Sequence, residues 1–227
     1  MKPLQIYIGW DAKESTAWHV LCHSILRRSS MPMSNTPLVQ NQLRRSGLYT
    51  RQRGPLESTA FSFTRFLVPY LCGYQGLALY MDCDMLCLED LHELWCLNET
   101  PSKAVSVVKH EYCPSTTMKM DNRPQTIYPR KNWSSLMMFD NAQCRILTPE
   151  YINTASGLEL HRFVWLQDSQ IGALPFEWNY LVGEGNQSRK QPKIRHYTNG
   201  LPILEEYRTC EYGDLWWDEY NDMVSVK

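Results

Sequence analysis

Five uninterrupted apolar residues, Leu77-Ala78-Leu79-Tyr80-Met81, follow Gly76 and run directly into Asp82-Cys83-Asp84. A run this short, bounded by glycine on one side and acid on the other, reads as a strand buried on both faces. A strand covered on both faces needs helices above and below it, so the chain is expected to build an α/β sandwich. Carboxylates at i and i+2 lie on the same side of an extended chain. A slight kink brings both to one divalent cation, and hard oxygen ligands suit Mn²⁺ or Mg²⁺. In open α/β sheets ligands sit at the carboxyl ends of strands, which is where this strand delivers the pair.

The surrounding segments fit that class. Leu4 to Ile8 is a β-rich apolar run ending at Gly9, followed by a turn at Trp10 to Lys13 and a helix from about Glu14 to Arg28. Ala17, Val20, Leu21, Ser24 and Ile25 share one face of that helix. Further strands are expected at Leu38–Gln40, Ala104–Val108, Leu136–Phe139 and Lys193–Tyr197. Helices are expected from Ser58 through Leu67, at Asp90–Trp95, and from Thr148-Pro149-Glu150, where a capping threonine precedes proline at the first helical position. Residues 42–55, with Arg44, Arg45, Arg51 and Arg53, read as a mobile loop. A polar, proline-bearing stretch, Tyr112 to Lys131, separates the two halves.

With 227 residues the chain is long enough to bury one large core without staples, and its 43% hydrophobic content excludes intrinsic disorder. A net charge of −1 argues against a broad nucleic-acid-binding field. No apolar stretch is long enough for a membrane span, and Met1-Lys2-Pro3 opens no signal-peptide core, so a cytoplasmic protein is expected. The eight cysteines form no Cys-x-x-Cys pair and read as reduced, mostly buried thiols. The sequons at Asn98, Asn132 and Asn186 read as chance matches.

Several blocks together resemble the family 8 glycosyltransferases, the group that includes glycogenin and bacterial and viral relatives. They are Ile6-Tyr7-Ile8-Gly9-Trp10-Asp11-Ala12-Lys13-Glu14, the run from Ser58 to Asp84 with Arg65, Trp133 to Phe139, Leu166-Gln167-Asp168-Ser169-Gln170, Trp178-Asn179, and His196-Tyr197-Thr198-Asn199-Gly200. They occur in the family's order from Gln5 to about Pro202. The resemblance implies a single GT-A-like domain over 1–227, a Rossmann-like mixed sheet flanked by helices. Residues 1–110 would form the nucleotide-binding half, and 111–227 the acceptor half and tail. It implies transfer of a sugar from a nucleotide-diphosphate donor, usually a UDP-sugar, with Mn²⁺ (or Mg²⁺) and retention of configuration.

On that resemblance Asp82, Asp84 and His196 hold the metal. Ile8, Gly9, Asp11, Arg65, Met81, Cys83, Ser134, Ser135 and Gly200, together with Asp82, line the donor site. Arg65 can fork onto phosphate oxygens. Gln167 and Asp168 match the core of the family's Asp-Gln-Asp segment and would contact the donor sugar, Asp168 steadying oxocarbenium charge. The chain departs from the family at Leu166, where the first Asp would stand, and at Ser134-Ser135-Leu136. It also lacks the diphosphate lysine after Gly200, for which Lys193 or Arg195 would substitute. The acceptor stays open among glycan, lipid-linked sugar, protein and modified base, and with no second domain a homo-oligomer is one way to complete its site. The rivals are a nucleotidyltransferase on a related sheet and a non-catalytic nucleotide-sugar-binding module. His19 and His23, at i and i+4, lack a third ligand; Cys83, Cys87 and Cys96 match no zinc module; the tail Leu215-Trp216-Trp217 reads as core packing.

Overall fold

Residues 3–54, 57, 59–97, 103–110, 130–184 and 191–225 are described by the computed structural model. In chain order the elements are β1 (Leu4–Trp10), α1 (Ser15–Arg28), β2 (Met33–Val39), α2 (Gln40–Arg45), α3 (Val68–Leu71), β3 (Leu77–Met81), β4 (Met85–Cys87) and α4 (Leu91–Cys96). There follow β5 (Val105–Val107), β6 (Leu136–Asp140), α5 (Pro149–Thr154), α6 (Gly157–His161), β7 (Ile171–Ala173), β8 (Tyr180–Leu181), β9 (Ile194–His196) and α7 (Gly213–Val224).

Six strands form one mixed sheet in the order β2-β1-β3-β6-β5-β7. β1 runs parallel to both β2 and β3, and β6 runs antiparallel to both β3 and β5. β3 and β5 therefore point the same way, so their carboxyl ends open on one edge. β4, β9 and β8 make a second, three-stranded sheet in the order β4-β9-β8. The apolar run expected to be a doubly covered strand is β3, with Ala78 to Met81 all buried. Apolar clusters lie on both faces: Tyr7, Phe66, Tyr80, Met137 and Phe139 in one, Ile6, Ile8, Leu79, Met81 and Met138 in the other. Each such side chain contributes about 1.5–3 kcal/mol by leaving water. The expected α/β architecture, a mixed sheet flanked by helices, is the one observed.

Local chemistry explains where elements begin. α1 buries Ala17, Val20, Leu21, Ser24 and Ile25, the face its periodicity assigns. Asp90 caps α4 through His92 N, and Thr148 caps α5 through Tyr151 N, with Pro149 in the first turn. α7 packs Trp216 in the core and buries Glu219, whose carboxylate meets His23 Nδ1 at 2.6 Å and Arg28 Nη1 at 2.9 Å. His23 is thereby a structural partner of the tail, and His19 packs edge-on to Trp10 and Trp18.

Three expectations are corrected. Residues 42–54 of the expected loop are not a bare loop. α2 takes their start, and Arg51 donates to Ile152 O and Ala155 O while lying 4.0 Å over the Phe63 ring. Arg44 likewise covers Tyr49 and donates to Arg51 O. Arginine stems bury on apolar surface as readily as they face water, which composition alone does not reveal. No single helix covers 59–67: turns and a short 3₁₀ segment (Thr64–Leu67) precede α3. Ser62 Oγ donates to Thr59 O there, the competition with helix that hydroxyl side chains offer. Finally, the second strand begins at Met33, five residues earlier than expected, because pairing with β1 carries it through Asn35 and Pro37.

Seven described cysteines are all free, four of them buried. Ser58, Asn98, Cys113, Asn186 and nearly all of the stretch from Tyr112 to Lys131 lie outside the described residues. Among the described residues no helix is long and apolar enough to cross a membrane.

Candidate active site

β3 ends at Met81, and the chain turns at once through Asp82-Cys83-Asp84 into β4. β9 pairs antiparallel with β4, placing His196 opposite Met85 and beside Asp84. Asp82, Asp84 and His196 each offer a ligand atom within 4.8 Å of the others, and they form the one such cluster among the described residues.

Each member is held from behind. Asp82 is buried, and its Oδ1 accepts from Tyr80 Oη at 2.6 Å and meets Arg65 Nη2 at 3.0 Å. Arg65 is itself buried and donates to Ser134 O at 2.8 Å and Phe61 O at 3.3 Å. Burial pushes the Asp82 carboxyl above its ordinary value while the guanidinium pulls the other way. Asp84 also suffers from burial, yet His196 beside it brings its carboxyl below the usual range. His196 shows the complement: burial disfavours its charge, but Asp84 overrides this and raises it.

The cluster fits a divalent cation. Asp84 Oδ1 is buried and accepts no hydrogen bond, although His196 Nε2 lies 3.3 Å away. His196 Nδ1 lies 3.1 Å from Asn179 Oδ1, and Asn179 Nδ2 donates to Ser135 Oγ at 2.9 Å. That chain fixes the ring so that Nε2 faces the carboxylates, the outer-shell support typical of a ligating histidine. Two carboxylates and one imidazole suit Mn²⁺ better than Mg²⁺.

Other sequence candidates fall around this cluster. Ser135 O accepts from Asp82 N at 2.9 Å, and Ser134 Oγ shares a 2.8 Å hydrogen bond with His161 Nδ1. Burial, with Arg65 and Arg51 nearby, lowers His161 to about 3, so its ring is neutral. The side chains of Ile8, Met81 and Cys83 are core, leaving only their backbone for a donor. Asp11 accepts from Lys13 N at 3.0 Å and from Ala60 N at 2.9 Å, tying β1's end to the segment before Arg65. A Cβ on Gly9 would sit 2.5 Å from the Phe61 ring and 2.8 Å from Tyr80 Oη. Glycine there lets Tyr80 reach Asp82. A Cβ on Gly200 would meet the Tyr207 ring at 2.2 Å, so that glycine also serves close packing.

Gln167 and Asp168 are exposed, and Asp168 pairs with Arg130. Asp168–Gln170 form the turn that leads into β7, and Arg130, the partner of Asp168, lies 5.4 Å over the ring of Trp133, the residue before Ser134. Leu166 packs against the core. The substitutes for the absent lysine do not face the cluster. Lys193 pairs with Glu93, and Arg195 lies 4.4 Å over Tyr212. Successive side chains of β9 alternate, so both point away from the face of His196.

Glu14, which the sequence offered only as part of the opening block, joins the cluster's surroundings. Its Oε2 accepts from Cys83 Sγ at 3.2 Å, and burial together with Asp84 pushes its carboxyl up to about 7. Its place at the start of α1 was legible; its tertiary proximity to Asp84 was not.

No protein-family model matches the chain. Protein CDI of Arabidopsis thaliana is 47% identical, the alignment covering 97% of this chain and 87% of that protein. The chain belongs to the Protein CDI family. Glycosyltransferases are among the solved structures of similar fold. The bifunctional WbbM aligns at TM-score 0.59 and 16% identity over 96% of this chain, and GlyE of Streptococcus pneumoniae at 0.62 and 13% over 96%. The chain spans 49% of the WbbM chain and 60% of the GlyE chain. LgtC, a galactosyltransferase solved with donor and acceptor sugar analogs, aligns at 0.61 and 10% identity, over 99% of this chain and 98% of its own. The fold is thus the GT-A glycosyltransferase fold.

Proposed function

We propose that this chain is a metal-dependent glycosyltransferase related to family 8, moving a hexose from a UDP-sugar to a hydroxyl acceptor with retention of configuration. The observation that carries the reading is the Asp82–Asp84–His196 cluster at the carboxyl edge of β3, its Asp84 oxygen met only by the His196 ring, in a fold shared with sugar transferases. Asp82, Asp84 and His196 would hold Mn²⁺, which when bound supplies Lewis-acid stabilisation of the departing diphosphate. Tyr80 and Arg65 fix the Asp82 carboxylate, and Asn179 fixes the His196 ring, so the ligand set is arranged before the donor arrives. The nucleotide half, 1–110, would cradle the donor through the Ile8–Asp11 and Met81–Cys83 backbone. The acceptor is a hydroxyl on a glycan, lipid-linked sugar, protein or modified base, and a second copy of the chain could complete its site.

The position of Asp168, exposed and paired with Arg130, favours a second reading: a module that binds nucleotide-sugar without turnover. Both readings require metal-dependent nucleotide binding. Calorimetry is expected to show UDP binding with Mn²⁺ and at least tenfold weaker binding with EDTA. Equal affinity in both would remove the assigned role of the cluster.

A further inference from the structure

His110 lies three residues beyond β5, on the same sheet edge as Asp82 and Asp84, since β5 and β3 run in the same direction. Its backbone is anchored: its N–H donates to Val108 O at 3.2 Å, and its carbonyl accepts from Trp133 Nε1 at 3.1 Å. Trp133 directly precedes Ser134 and Ser135, which touch Arg65 and Asp82. The His110 ring packs edge-on to Phe176 at 5.5 Å, and His196 is close enough to disfavour protonation of His110. The residue is only 6% exposed, yet neither Nδ1 nor Nε2 has a hydrogen-bond partner.

Buried polar groups are nearly always paired, and two orphaned nitrogens on one ring point to a group that arrives with a ligand. Burial, reinforced by His196, lowers this imidazole to about 3 and keeps it neutral. A neutral ring presents one donor and one acceptor. A metal ligand would use one nitrogen only, and His110 stands outside the cation cluster. A carbohydrate hydroxyl donates and accepts, and neighbouring hydroxyls on one sugar can meet both nitrogens.

We propose that His110 is a sugar-recognition residue, hydrogen-bonding hydroxyls of the carbohydrate bound beside Asp84 and His196. This rests on the glycosyltransferase reading. The hydroxyls belong to the donor sugar or to the acceptor, and the two are separable. In the presence of Mn²⁺, the affinities of UDP and of UDP-glucose, UDP-galactose, UDP-N-acetylglucosamine and UDP-xylose are measured by calorimetry for the wild type and His110→Phe. If the donor is read, the ratio of the best UDP-sugar to UDP falls about tenfold in the variant while UDP itself binds as before. If that ratio holds, stimulation of UDP release by methyl glucoside and methyl galactoside is compared. A loss confined to His110→Phe assigns the acceptor.

Phenylalanine keeps the ring's volume and removes two unpaired polar atoms, so the melting temperature is expected to hold or rise. A fall in melting temperature with both sugar readouts unchanged would mark a structural role and overturn the proposal, as would no change in any readout. His110→Asn, which retains a donor and an acceptor, should recover part of the loss. A wild type that binds no UDP-sugar with Mn²⁺ overturns the glycosyltransferase reading along with this one, whereas intact wild-type binding with an indifferent His110→Phe overturns this one alone.

Discussion

Asp84→Asn is expected to weaken Mn²⁺ binding in the presence of UDP by at least about 100-fold, read by electron paramagnetic resonance of free Mn²⁺. The substitution keeps size and shape but removes the charge, and it can aim an amide N–H₂ where a cation must sit. Asp84 Oδ1 is buried with only His196 Nε2, 3.3 Å away, beside it, so it is the oxygen least committed to the fold. Asp82, by contrast, is already engaged by Tyr80 and Arg65. The apo variant should therefore melt within a few degrees of wild type, separating loss of metal from loss of structure. Asp84 also raises His196 in the free protein. A cation must displace that proton, so wild-type Mn²⁺ affinity should climb as pH rises through the imidazole range. Unchanged Mn²⁺ affinity in Asp84→Asn would place the cation elsewhere.

Arg65→Met is expected to cost about 3–5 kcal/mol of stability, because it leaves the Asp82 carboxylate buried without its counter-charge. For a domain of this size that is a drop of roughly 10 °C in melting temperature by calorimetry. The pH dependence distinguishes this cause from lost packing. Burial already raises Asp82 above its ordinary value, and removing the guanidinium raises it further. A carboxyl whose folded pKa exceeds its unfolded one stabilises the fold below the unfolded value, and this is lost as pH rises through the folded one. The variant's deficit should thus shrink toward acid pH. A deficit equal at pH 5 and pH 8 would mean that Arg65 matters through its stem alone.

How far the sequence foretold all this depends on the range of the forces involved. β3 was legible because burial on both faces leaves no polar residue in the run, and α1 because its apolar face repeats with helical spacing. Thr148-Pro149 was legible because capping is local. The expected Asp82, Asp84 and His196 do converge, though nothing in the composition of residues 85–195 says that β9 will lie beside β4; only the resemblance did. What stayed hidden is tertiary. Arg44 and Arg51 look like solvated charge until Tyr49 and Phe63 are seen beneath them. Lys193 and Arg195 sit close to the cluster's histidine in sequence but on the opposite face of its strand. Glu14 ends the opening block with no role attached and His110 carries no motif, and their approach to Asp84 and His196 is tertiary. Asp168 matches a family segment by letters, while its ion pair with Arg130, 38 residues away, is tertiary.

The most direct measurement is Mn²⁺-dependent release of nucleotide from a panel of UDP-, GDP- and dTDP-sugars, with water standing in slowly for the acceptor and Asp84→Asn and EDTA as controls. Release from a UDP-sugar, abolished by both controls, is the expected result. Silence from every donor, together with no metal-dependent binding of any nucleotide, would contradict the assignment of this fold and its acidic cluster to sugar transfer.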